Sequence, residues 1–336
     1  MNVFMIGTQR SGSNLLRLML NQAPAIAAPH PPHILERFAP LLPRYGDLRV
    51  AANFAGLVDD VLRLVELNPV PWGVSFDRTD IERRCREPSL VALFGAVMDR
   101  MAEAQGKPDW LCKSLANVHF LPDIERYFSS SARYLYLYRD GRDVCLSFLK
   151  AVVGEKTAYH VAQQWHQEQQ LALACGRSVP NARFLAVSYE ELTQNPESTL
   201  RLLCRWLGLD YQPAMLNFHD SEEADRTAAG GAMWANVRKP VMAANTQKWR
   251  AGLNTDELLD FETVAGASLT ELGYELAVAT HNTPVRTYDA AALAALEAQN
   301  RERKAAARRA LSPEDAAARQ PQEALLAEIR ARPVMA

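Results

Sequence analysis

The stretch Thr8-Gln9-Arg10-Ser11-Gly12-Ser13-Asn14-Leu15 constrains the fold of this 336-residue chain more than any other. Val3-Phe4-Met5-Ile6 before it reads as an apolar strand, and Leu15-Leu16-Arg17-Leu18-Met19-Leu20 after it reads as an apolar helix. A strand that runs through a Gly/Ser loop into a helix amino terminus builds an anion cradle. The first N–H groups of the helix have no partner within it, and the macrodipole adds partial positive charge. Ser11, Ser13 and Asn14 add side-chain donors and Arg10 adds a permanent charge. An ordinary βα turn containing Gly and Ser is the plain alternative.

Gly7 and Gly12 have the separation of a nucleotide-triphosphate loop, but Ser13 stands where that loop carries its Lys. The basic residue sits inside the loop instead, at Arg10. A second motif follows. Arg133-Tyr134-Leu135-Tyr136-Leu137-Tyr138 alternates as a strand does and leads into Arg139-Asp140-Gly141-Arg142-Asp143-Val144-Cys145-Leu146-Ser147. The two motifs, in this order, resemble those of sulfotransferases that use 3′-phosphoadenosine 5′-phosphosulfate (PAPS) and release PAP. The first resembles that family's 5′-phosphosulfate loop, with Gln9 in place of the usual Pro. The second resembles its 3′-phosphate motif, with Gly141 in place of Pro. The resemblance implies that residues 9–14 cradle the 5′-phosphosulfate and that Arg139 and Ser147 grip the 3′-phosphate. A guanidinium fork and a hydroxyl suit phosphate oxygens. Arg142 and Asp143 read as internal ion pairs of a helix start.

Later segments fit the same template. Arg183–Val187 reads as a strand, followed by Ser188-Tyr189-Glu190-Glu191-Leu192 and a helix from Glu197 to Leu207 that stops at Gly208. In the family the Tyr of this segment lies by the adenine, which implies that role for Tyr189. Asn245-Thr246-Gln247-Lys248-Trp249-Arg250 is similar to the block that closes over the nucleotide and makes Lys248 a phosphate contact. Arg238-Lys239 is a weaker candidate for the same work. Lys113, after the short strand Leu111-Cys112, resembles a second Lys near the transferred group; a solvated Lys at a strand end is its plain reading. Arg10 is expected to stabilise charge on the leaving 5′-phosphate, and no metal is expected.

Sulfuryl transfer is an in-line displacement and needs a base for the acceptor proton. Leu115 occupies the position where some family members place a His. The segment His30-Pro31-Pro32-His33-Ile34-Leu35-Glu36 is similar to a heparan-type segment whose catalytic Glu falls here on Pro31. His33 therefore becomes the leading base, with Glu36 to orient or assist it. A structural role for His33 stays open, and His30 and His119 are further candidates.

Alternating strands and helices predict an α/β fold: a P-loop-like parallel sheet flanked by helices. Candidate strands are 3–6, 25–28, 111–112, 134–138 and 184–187. Residues 1–280 read as the enzymatic domain. Residues 46–107 read as a helical cap over the acceptor, and 281–336, rich in Ala, Arg and Glu, as an appended helical tail outside the enzymatic core. The stretch 216–245 reads as a mobile lid or an irregular loop. Net charge of −2 gives no nucleic-acid coat, and no apolar run reaches membrane-spanning length. Five dispersed cysteines, and a first strand that starts almost at Met1 with no leader before it, suggest a cytoplasmic protein similar to soluble bacterial members of the family. A small or medium-sized acceptor with a hydroxyl or amine is expected, with self-association through the tail as a further possibility. The alternatives are a P-loop kinase, which lacks its Walker Lys here, and a PAP- or PAPS-binding protein without catalysis.

Overall fold

The computed structural model describes residues 1–278 and 286–335. Five parallel strands, β1 (Asn2–Ile6), β2 (Ile26–Ala27), β3 (Asp109–Cys112), β4 (Ala132–Tyr138) and β5 (Phe184–Ser188), form one sheet in the order β2-β3-β1-β4-β5. Val3 pairs with Leu111 on one side and Arg133 on the other. The helices are α1 (Ser13–Asn21), α2 (Ile34–Phe38), α3 (Ala51–Glu66), α4 (Arg78–Arg84), α5 (Leu90–Ala104), α6 (Leu121–Phe128), α7 (Gly141–Lys150), α8 (Ala158–Ser178), α9 (Tyr189–Gln194), α10 (Pro196–Leu207), α11 (Glu222–Ala229), α12 (Trp249–Gly252), α13 (Thr255–Glu271), α14 (Ala290–Arg309) and α15 (Pro313–Ala331). The fold is thus the expected parallel α/β sheet flanked by helices.

The two-residue period of the strands sorts the core into two layers. Val3, Met5, Leu111, Leu135 and Leu137 face α1 and α10. Phe4, Trp110, Cys112, Tyr134 and Tyr136 face the opposite layer, where Phe4 meets Trp110 and Phe128 edge-on, each with ring centroids 5.2 Å apart. A third cluster joins α7, α8, α12 and α13 around Trp165, Trp249 and Phe261. Because all strands are parallel, their carboxyl ends share one edge of the sheet, where open α/β sheets bind ligands.

Two organisational expectations change. Residues 46–107 do not form a separate cap: α5 packs on β3 and β2, and of this stretch only Asn68 and Pro69 line the large cavity at the strand ends. The apolar run Leu90–Met101 is buried against the sheet as a flanking helix. The tail is not outside the core either. Leu325, Leu326 and Ile329 of α15 are buried in the layer that holds α2 and α3. Gln322 Nε2 donates to Leu64 O at 2.7 Å, and Arg332 pairs with the buried Asp60, which also accepts from Tyr45 Oη at 2.8 Å. In α14, Asn300 Oδ1 accepts from Lys156 N at 2.7 Å. The 280/281 boundary itself falls outside the described residues. The stretch 216–245 contains α11, started by Ser221 Oγ accepting from Ala224 N, and buries only Ala224 and Thr227 of that helix.

Ile329→Ala removes a fully buried side chain whose neighbours belong to the enzymatic core. It is expected to cost about 2–5 kcal/mol, read as a lower midpoint in chemical denaturation. An unchanged midpoint would show that α15 is not part of the folded unit.

Candidate active site

The loop between β1 and α1 is shaped by two glycines that approach other backbone and rings too closely for any Cβ. A Cβ on Gly7 (φ +131) would lie 2.3 Å from Leu137 O, and one on Gly12 (φ +86) 2.3 Å from Cδ2 of Tyr189. Gly12 is the N-cap of α1 and supplies no capping side chain, and the first turn holds no acidic residue. The helix amino terminus is therefore left for an outside acceptor. Around it, Ser11 Oγ and Asn14 Oδ1 are buried without a partner. Gln9, Arg10, Gly12, Ser13 and Asn14 line a cavity of about 1120 Å³.

The end of β4 meets this loop. Arg139, buried, donates from Nη1 to Arg10 O at 3.1 Å and from Nη2 to Asn245 O at 2.7 Å. Its guanidinium stacks 4.3 Å from the Tyr189 ring centroid and lies 3.5 Å from Asp143 Oδ2, while its Nε has no partner. Arg10 Nε donates to Ser147 Oγ at 3.0 Å, so the cation of the first motif touches the hydroxyl of the second. The pKa of Arg10 is lowered, chiefly by burial and then by the Arg139 charge. Tyr189 Oη accepts from Asn245 Nδ2 at 2.7 Å. Arg142 and Asp143 are structural, as their sequence suggests. Arg142 pairs with Asp140 and Glu262, both at 2.8 Å, and stacks on Trp249; Asp143 Oδ1 accepts from Trp249 N at 2.9 Å.

The ends of β2 and β3 deliver the other half of the cavity wall. His33 is the N-cap of α2, with φ 54, and its N–H donates to Ser114 Oγ at 3.2 Å. Its Nδ1 lies 3.0 Å from Glu36 Oε2. With a carboxylate at Nδ1, the hydrogen bond places the proton there and leaves Nε2 as acceptor. Burial lowers the His33 pKa, against the opposing pull of Glu36. Lys113 lines the same cavity, and its pKa falls to about 7 because burial and then the Arg17 and Arg10 charges disfavour the ammonium. His30 is buried with Nδ1 3.1 Å from Asn68 Oδ1 and its ring edge-on to Trp234 at 4.7 Å; its Nε2 has no partner. Burial, then Arg17 and Lys113, hold its pKa well below the usual imidazole value.

Not every sequence candidate converges. His119 is exposed in a neighbouring cleft, 3.6 Å from Glu168. Arg238 pairs with Asp225 at 2.8 Å, whereas Lys239 and the exposed Lys248 lie along the cavity wall. Sequence reading missed the roles of Arg17 and Asn245, and it read the helical tail that holds α15 as lying outside the core. Arg17 is wholly buried and donates to Ala28 O at 2.8 Å, Glu223 at 2.7 Å and Thr227 Oγ1 at 2.7 Å. A lone Arg inside an apolar helix run was a readable sign of a buried ion pair. The contribution of α15 to the cavity wall had no local signal.

An uncapped helix start, buried cations and an imidazole–carboxylate pair thus surround one cavity. The chain belongs to the sulfotransferase family, whose model matches residues 2–213. It is similar to protein-tyrosine sulfotransferase 2 of Gallus gallus, at 22% identity over 289 residues, covering 81% of this chain and 69% of that protein. It is likewise similar to protein-tyrosine sulfotransferase of Drosophila melanogaster, at 23% identity, covering 81% of this chain; the chain spans about half, 51%, of that relative's length. Two solved structures share the fold. The sulfotransferase domain of the Synechococcus PCC 7002 olefin synthase has a TM-score of 0.57 at 23% identity, covering 82% of this chain and 95% of that domain. The sulfotransferase domain from the curacin biosynthetic pathway has a TM-score of 0.56 at 21% identity, covering 82% and 98%. No described helix is long and apolar enough to cross a membrane.

Gly12→Ala sets a methyl against the Tyr189 ring at a φ that L-residues avoid. The expected outcome is a loss of about 1–3 kcal/mol of stability, read by denaturation, with the Tyr189 ring displaced in a crystal structure of the variant.

Proposed function

We propose that this sulfotransferase takes its sulfuryl group from PAPS and passes it to the hydroxyl or amine of a small or medium-sized acceptor. The observation that carries this reading is the convergence, at one sheet edge, of groups that suit a nucleotide bearing two phosphates. The unpartnered donors Ser11 Oγ and Arg139 Nε and the uncapped start of α1 fit such a ligand.

When bound, the nucleotide supplies a sulfuryl group on a phosphate leaving group. Residues 9–14 bind that phosphate through backbone and side-chain donors, and Arg10 and Lys113 hold the negative charge that grows on its oxygen. Arg139 and Ser147 take the 3′-phosphate, and Tyr189, stacked under Arg139, offers its face to the base. Lys248 and Lys239 add cationic charge at the rim. His33 Nε2 accepts the acceptor's proton, while Glu36 fixes the ring through Nδ1 and stabilises the imidazolium that forms. The chemistry needs alignment and charge stabilisation rather than a covalent enzyme intermediate.

Calorimetric titration with PAP, beside ATP with magnesium, tests the nucleotide assignment. Tight PAP binding without metal is expected at pH 6. Affinity should weaken as pH rises through about 7, because Lys113 loses its proton and with it the charge that attracts phosphate. In Lys113→Met the pH dependence should flatten. ATP–magnesium binding in place of PAP would instead favour a phosphotransferase.

His33→Ala is expected to keep PAP affinity within about threefold and to lower turnover at least about 100-fold. In the native protein kcat/KM should fall on acidification through a pKa below the ordinary imidazole value, since protonated His33 cannot act as base. Normal turnover by His33→Ala would move the base to His30, whose Nε2 is also free of protein partners.

A further inference from the structure

Arg37, Arg319 and Arg330 line the same cavity as His33 and Lys113. None is needed for the nucleotide assignment, and two of the three come from α15. Arg37 lies one helical turn after His33 in α2, and its N–H donates to His33 O at 3.1 Å. Its Nη1 donates to Gln322 Oε1 at 3.1 Å, which ties α2 to α15. Arg319 Nη2 points to Met233 Sδ at 3.2 Å, a weak acceptor. Among the described residues, none of the three makes an ion pair within 4 Å, although Glu36 and Glu323 line the same cavity. The carboxylates at this end are engaged: Glu36 with His33 at 3.0 Å, and Glu323 with Arg308 at 2.5 Å.

The charges that act on one another run in a line. Arg139 acts on Arg10, Arg10 on Lys113, Lys113 on His33, and Arg319 and Arg330 on Arg37. The nucleotide cations are at one end, the base is in the middle, and a second cationic group is at the other, where the nearby carboxylates Glu36 and Glu323 are bonded to His33 and Arg308. Arg37 loses hydration by burial and feels the like charges of Arg319 and Arg330, a cost that an anionic ligand would offset.

We propose that the acceptor carries an anionic group, a carboxylate or phosphate, which Arg37, Arg319 and Arg330 bind while its hydroxyl meets His33. This rests on the reading of the cavity as the sulfuryl-transfer site. The C-terminal helix thereby becomes a specificity element of the enzyme.

The test uses full-length protein saturated with PAP and titrated with 4-hydroxyphenylacetate and 5-hydroxypentanoate, each beside its neutral amide. At least one acid is expected to bind tenfold or more tighter than its amide. That preference should fall at least fivefold in Arg319→Gln/Arg330→Gln. The charge reversal Arg319→Glu/Arg330→Glu should disfavour the acids outright, with the thermal midpoint of both variants near the native value. Equal binding of acids and amides, binding of neither acid, or a preference unchanged in the double variants overturns the proposal. Failure of PAP itself to bind would count against the nucleotide reading instead, so the two failures are distinguishable.

Discussion

The parallel pairing of β1 between β3 and β4 is the constraint on which the site depends. Val3 sits between Leu111 and Arg133, so the chain leaves all three central strands at the same edge. The loops that follow are then tied to one another across that edge. Arg139 donates to Arg10 O, the Tyr189 ring occupies the space that a Gly12 side chain would need, and His33 N–H donates to Ser114 Oγ. Each tie joins residues from different strands. A shift in the pairing of β1 would therefore break the anion loop and both of its neighbours together.

Electrostatics gives the site its direction. Arg10, Arg17, Lys113 and Arg139 are gathered in a region poor in water, where like charges repel and the ammonium of Lys113 is held only near neutrality. Only part of this charge is answered inside the protein. Arg17 has Glu223 at 2.7 Å, and Arg139 has Asp143 at 3.5 Å. Lys113 makes no ion pair within 4 Å among the described residues, and the like charges of Arg17 and Arg10 outweigh the pull of Glu36 on it. His33 differs because Glu36 supplies a carboxylate at its Nδ1, 3.0 Å away, and orients its ring.

Much of this was legible in the chain. The alternation in Arg133–Tyr138 marked β4, and the Gly/Ser loop after Val3–Ile6 marked the anion cradle, because both patterns are local. Gly208 marked the end of α10 and adopts the left-handed conformation there. Other features were not local. The run Leu90–Met101 suggested a helix but not which surface it covers, and it flanks the sheet rather than capping a substrate. In α15 the stripe Leu325, Leu326 and Ile329 is too narrow to announce burial. Its seat depends on the groove left by α2, α3 and residues 39–44, which no local pattern describes.

By itself the sequence determined the local patterns available: a Gly/Ser loop between a strand and a helix, a strand end at Arg139 one helix start from Ser147, a Lys after a strand, and a His near a Glu. These follow from residue types at short spacing, which backbone geometry converts directly into local structure. Tertiary structure decided their order in space. The strand order β2-β3-β1-β4-β5 turns a chain order of Arg10, His33, Lys113, Arg139, Tyr189 into a row of His33, Lys113, Arg10, Arg139, Tyr189, about 20 Å from end to end at the usual strand spacing. It also brought α15 against α2, placing arginines from the end of the chain in the wall of the cavity that His33 also lines. Burial of apolar faces sets that arrangement, and it acts between segments hundreds of residues apart, where no sequence period can report it.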